Sequence, residues 1–208
     1  VDLLGGSNFI DKTDINNPTR VLYGQYASKP NGNPFFNSDY QEKINYRNDG
    51  LVRWYGAFTQ LEYSKDNLTA FVQGAVSQQG FKRNDYFVYL KTDPLYSSDY
   101  ENILGGNVKG GVNYNINEKH NVFINSGFYS KQPFFTAVYP NNRSVVNPTI
   151  TNEKIAAVEA GYGFRSSIVN VNVNLYHTTW KDRYIINTIS AGGYYALEGV
   201  NETHSGAE

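Results

Sequence analysis

Three histidines, His120, His177 and His204, are the side chains best suited to proton transfer or metal ligation. They lie far apart in the chain, with no cysteine or carboxylate pattern at ligand spacing beside them. Cysteine is absent altogether, which excludes thiolate sites and disulfides. No Ser/His/Asp arrangement, phosphate loop or zincin spacing is present. The sequence therefore predicts no enzyme, no metal and no cofactor. Its binding chemistry is richer. Residues 131–143 bring together Phe134, Phe135, Tyr139, Asn141 and Arg143. Rings of this kind stack on sugars or apolar ligands, while amides and guanidinium groups hydrogen-bond. These five are the candidate ligand contacts. The competing reading is that Phe134 and Phe135 only pack their own loop. Tyrosines within 96–100 and 184–195 carry the same ambiguity.

Such a loop needs a scaffold, and the scaffold shows in the periodicity. In residues 107–117, Val108, Gly110, Val112, Tyr114 and Ile116 alternate with Asn107, Lys109, Gly111, Asn113 and Asn115. That is a period of two, with one apolar and one amide-rich face. The pattern recurs in 67–78, in 155–165 around Glu159 and Arg165, and in 167–179. It recurs also in 57–63 and is weaker in 120–130. Residues 1–50 are rich in Asn, Asp, Gly and Pro and read as loop, with Pro18, Pro30 and Pro34 breaking any strand. The expected strands lie near 51–64, 67–79, 103–117, 120–130, 154–165, 167–180 and 196–208.

Strand length then selects an environment. Soluble strands average about 5–6 residues, whereas these run to about 11–14. Eleven residues rise roughly 36 Å, and a tilt of about 40° leaves near 27 Å of height, the thickness of an outer-membrane apolar band. Short links at 64–67, 117–120 and 165–167 alternate with long ones at 80–102, 131–153 and 181–195. Outer-membrane barrels keep short turns on one side and long loops on the other. Tyr63, Tyr114, Tyr162 and Phe164 all sit near short turns, as an aromatic girdle would. No run of about 18 apolar residues exists, and residues 1–10 do not read as a signal peptide. Charge is balanced, 18 basic against 19 acidic residues, so no field steers nucleic acid.

The segments Thr151-Asn152-Glu153-Lys154-Ile155, Val158-Glu159-Ala160-Gly161-Tyr162-Gly163-Phe164-Arg165, Val171-Asn172-Val173-Asn174-Leu175-Tyr176 and Trp180-Lys181-Asp182-Arg183 resemble a late barrel region of TonB-dependent outer-membrane receptors, in their Bacteroidetes flavour. The resemblance spans roughly residues 51–208. It implies an all-β chain supplying about seven antiparallel strands of a larger, roughly 22-stranded barrel. It also implies energy-coupled uptake of a scarce nutrient such as a siderophore, glycan, cobalamin or peptide. The implied partners are outer-membrane lipid, the remainder of the barrel, its plug, the TonB motor acting through that plug, and a surface lipoprotein lid. The chain departs from the family in having no plug segment and too few strands, so a longer polypeptide is expected. Two alternatives stay open: a small structural or adhesive barrel, and a secreted glycan-binding β-sandwich.

Overall fold

The computed structural model describes residues 8–10, 12–23, 47–188 and 195–208. Nine strands appear: β1 (Asn8–Ile10), β2 (Val21–Tyr23), β3 (Asn48–Lys65), β4 (Leu68–Asp85), β5 (Glu101–Asn117), β6 (His120–Lys131), β7 (Glu153–Arg165), β8 (Asn170–Thr188) and β9 (Tyr195–Ala207). A one-turn helix, α1 (Phe135–Val138), lies between β6 and β7. β3 to β9 form one sheet in sequential order, and β1 pairs with β2 in a separate two-stranded sheet. That pair corrects the all-loop reading of residues 1–50. Most of that stretch lies outside the described residues.

The short turns have local causes. A two-residue link joins β3 to β4, with Asp66 at φ 51°, the left-handed conformation that tight hairpins require. Between β5 and β6, the Asn117 side-chain oxygen accepts from the Lys119 and His120 amides. Between β7 and β8, the Ser166 hydroxyl accepts from the Ile168 and Val169 amides. That turn takes up residues 166–169, so β8 starts three residues later than the alternation suggests.

Strand ends differ on the long-loop side. β4 runs to Asp85 and β8 to Thr188, six and eight residues past their expected ends. The expected long link 181–195 is therefore mostly strand, paired from Arg183↔Val200 to Thr188↔Tyr195. Its remaining six residues, 189–194, lie outside the described residues.

The chain divides into two compact units. The larger comprises residues 52–81, 101–141 and 146–208 and holds most of the sheet. Its buried cluster is small: Phe81, Val138 and Tyr139, with Ile103, Phe135, Val146 and Ile150 packed around them. The smaller comprises residues 1–51, 82–100 and 142–145. There Arg83 and Asp85 form a buried ion pair at 3.2 Å. Asp85 also accepts from the Phe87 and Val88 amides. Asn16 donates to the Tyr86 and Tyr89 carbonyls and accepts from the Lys91 amide, stitching the 12–20 turn to the 86–91 loop.

Candidate functional site

The sheet of the larger unit reverses the usual rule of burial. On β5 to β7 the even-numbered apolar residues are the exposed ones: Leu104 is 72% accessible, Val108 52% and Ile124 52%. Their polar neighbours Asn107, Lys109, Asn113, Asn125 and Glu159 are partly sheltered. Register keeps the two sets apart from strand to strand. Val72, Gly110, Ser126, Val158 and His177 form one cross-strand row. Gln73, Lys109, Gly127, Ala157 and Thr178 form the neighbouring row on the opposite face.

The upper edge of the apolar belt is staggered. Below the bulge of β8, the last large apolar residue on that face is Phe128 on β6, Val158 on β7 and Leu175 on β8. Phe128 pairs with Ala156, and Val158 pairs with His177. The edge thus steps by two residues at each strand. A step of roughly 6.6 Å against a strand spacing of about 4.8 Å corresponds to strands tilted by roughly 54° from the normal to the belt's edge. At the opposite edge stand Tyr114 and Tyr162, both on the apolar face beside short turns. The Tyr162 hydroxyl lies 2.6 Å from Nδ1 of His120, whose ring packs on Phe164 at 4.9 Å.

The predicted ligand residues do not converge. Tyr139 is 1% accessible, and its hydroxyl donates to the Phe81 carbonyl at 3.1 Å. Phe135 packs between Phe81 and Tyr139, with ring centroids at 6.2 and 5.2 Å. These two rings hold the loop together, which is the packing reading of the segment. Phe134 remains 42% accessible. Asn141 is exposed and turns the chain at φ 56°. Arg143 is exposed and belongs to the smaller unit. Tyr184 is likewise occupied: its hydroxyl donates to the Thr149 carbonyl and accepts from the Thr151 amide.

By strand parity Phe81 and Ile103 stand on the polar face, so α1 and its cluster pack on that face. The Gln132 amide donates to the Ser77 hydroxyl at 2.8 Å and lies across Gly105. Asn152 donates to the Leu104 carbonyl and the Ser130 hydroxyl. Both ends of the β6–β7 loop are therefore tied to the wall.

Sequence reading missed two features. The first is a charge ladder at the long-loop end of β6 to β9. Lys131 bonds Glu153 at 3.2 Å, Glu153 faces Arg183 at 3.8 Å, and Arg183 bonds Glu202 at 2.6 Å. A bulge places Asp182 at φ 58° and shifts the register between Trp180 and Arg183. Bulges re-aim side chains. Here Asp182 bonds Lys154, while Arg183 joins the two glutamates.

The second feature is a pair of recesses on the polar face. One, of about 320 Å³, is lined by Trp54, Phe58, Ser77, Asn107, Tyr129 and Gln132. The other, of about 450 Å³, is lined by Phe71, Lys109, Asn125, Tyr129, Glu159, Tyr176 and Thr178. Tyr129 lines both. Among the described residues neither Lys109 nor Glu159 has an ion-pair partner. The three histidines stay apart, His177 bonding Ser205 and His204 facing Glu202. No group of three metal-ligating side chains occurs among the described residues.

This geometry has a solved counterpart. The structure of the copper transporter OprC superposes with a TM-score of 0.62 at 15% sequence identity, over 76% of this chain and 26% of that one. The sheet is similar in fold to part of that protein. At that identity the likeness concerns the fold alone, and this chain spans about a quarter of that protein's length. No family model and no curated protein sequence matches the chain.

Proposed function

We propose that these strands form part of the barrel wall of a TonB-dependent outer-membrane transporter, a non-enzymatic protein that takes up a scarce nutrient. The inverted burial carries this reading. Fifteen large side chains of the apolar face on β4–β8, from Val72 to Leu175, are at least 38% accessible. Transferring side chains of this size out of water stabilises by about 1.5–3 kcal/mol each when complete. For half-exposed groups the total is roughly 10–20 kcal/mol, available only if lipid covers the face. An apolar surface of this extent marks a membrane or partner contact. The stagger of the belt supports tilted strands, as a barrel requires.

Edge strands argue against a barrel closed by these seven strands alone. β3 and β9 are first and seventh in an antiparallel sheet, so they run in the same direction. Pairing them with each other would create a parallel seam, and so would joining identical seven-stranded copies. An odd number of additional strands closes the sheet without one. One more, making eight, and fifteen more, making about 22, both satisfy this parity, and the family resemblance favours the second. The remainder of the barrel, a plug on the polar face, the motor acting through it and a lipoprotein lid belong to this proposal. The Bacteroidetes flavour rests on the sequence motifs alone, and the nutrient on the class of protein.

The test is to extract the native protein from its source membranes and measure its intact mass. Recovery only with detergent, at several times 23.5 kDa, is the expected result. A detergent-extracted species near 23.5 kDa would leave the small barrel. Recovery in the soluble fraction would refute the membrane reading outright.

A further inference from the structure

The polar face carries an arrangement of rings that its glycines make possible. A Cβ on Gly127 would meet the Tyr129 ring at 3.0 Å, and one on Gly111 would meet Phe71 Cε1 at 2.7 Å. One on Gly56 would collide with the Trp54 ring. Atoms of all three rings thus occupy the space above a glycine, which keeps the rings close to the wall. The Phe71 and Tyr129 rings cover neighbouring strands two residues apart, about 8 Å from one another.

Most polar groups between these rings are uncharged. Asn107, Asn125 and Thr178 are uncharged and both donate and accept. In the larger recess Lys109 and Glu159 bring one charge of each sign, and in the smaller one Lys131 is paired with Glu153, so neither recess offers an unbalanced charge. An anionic or a strongly cationic ligand gains nothing from such a field. A neutral ligand with many hydroxyls gains from all of it. Its hydroxyls donate to Glu159 and the amide oxygens, and accept from Lys109 and the amide nitrogens. The apolar face of a sugar ring covers a flat aromatic face.

We infer that the two recesses joined at Tyr129, between the Trp54 and Phe71 rings, bind a neutral oligosaccharide. This inference rests on the barrel reading, since only a barrel makes the polar face an interior surface. It names the nutrient class that the reading leaves open.

The test uses the full-length detergent-purified protein carrying these strands. Maltohexaose, cellohexaose and xylohexaose are titrated calorimetrically to about 10 mM, with tri-arginine as the cationic probe. The expected result is saturable binding of at least one hexaose, weakened about tenfold or more by Tyr129→Leu and by Trp54→Leu. Tyr129→Phe keeps the ring and is expected to bind within about threefold of the parent, which separates stacking from a folding defect. Heat-modifiable gel migration checks that each variant is folded. Absence of binding by all three sugars overturns the inference, as does binding that survives Trp54→Leu and Tyr129→Leu together. Selective binding of tri-arginine assigns the rings to a guanidinium partner and also overturns it. Each of these results, obtained on a protein that is extracted as a folded barrel, leaves the barrel reading standing. Recovery as a soluble protein removes both.

Discussion

Replacing Ile124 by arginine separates a sheet bathed in lipid from one bathed in water. Ile124 is 52% accessible and sits on β6 between Val112 and Ala160 on the apolar face. It lies about five residues from the Glu118–Lys119 turn, roughly 16 Å along the strand and about 12 Å along a membrane normal at the usual tilt. That is close to the middle of an apolar band about 25 Å tall. An arginine at this depth costs about 2–4 kcal/mol, or roughly 30- to 900-fold in the folding equilibrium. In water the same exposed position tolerates arginine within about 0.5 kcal/mol. Asn125→Arg is the internal control. It lies one residue away on the polar face, directly opposite Glu159, which can pair with it. The assay is folding of the full-length protein into phospholipid vesicles under a urea gradient, followed by heat-modifiable migration. The expected outcome is a large loss for Ile124→Arg and a small change for Asn125→Arg. Equal, near-neutral effects would refute the lipid-facing assignment of the even-numbered residues.

Three further outcomes follow from packing and hydrogen bonding. Tyr139→Phe leaves the buried Phe81 carbonyl without the hydroxyl it accepts from, which costs about 1–3 kcal/mol. The β6–β7 loop of this variant should be cut faster in limited proteolysis than the parent's. Gly161→Ala drives a methyl into the Phe123 ring and should cost about 1–3 kcal/mol in the same urea assay. Gly74→Ala, whose nearest neighbour is a carbonyl oxygen at 3.9 Å, should be tolerated. In the 86–100 loop, the Tyr86 hydroxyl donates to Asp49 at 2.7 Å, which pushes the phenol above its usual range. The folded state thus favours the neutral phenol. Its contribution is complete below the ordinary tyrosine pKa and is lost as pH rises through the raised value. Asp49→Asn should lower that pKa, read by NMR of labelled tyrosine, and the loop's amide-exchange protection should differ between parent and variant at neutral pH but converge in strong alkali.

What could be read in advance, and what could not, follows from where each residue finds its partners. Alternation along β5 marks two faces because every other residue meets a different environment, and lipid and water impose the same period of two. Composition alone does not say which face is which. Asn113 and Val112 are distinguished by exposure, and here the valine is the exposed one. The end of β4 escaped the pattern because Phe81, Arg83 and Asp85 are buried by loop contacts, so a ring and two charges share one parity. β8 was cut short at residue 180 because the bulge at Asp182 puts Trp180 and Arg183 out of phase. Tyr139 and Phe135 read as ligand contacts because a loop aromatic carries no local sign of its partner. Their partner, Phe81, lies more than fifty residues away. The one nearby sign is the pair Pro133 and Pro140 bracketing α1, which delimits a compact turn. The rings of the polar-face recesses escaped for a related reason. Gly127 and Gly111 read as weak strand positions, yet the first is the space that the Tyr129 ring fills and the second the space that the Asn125 amide and the Phe71 ring share. On this wall a glycine of the polar face marks the space that a neighbouring side chain fills, a ring at Gly127 and Gly161 and an amide at Gly105 and Gly163.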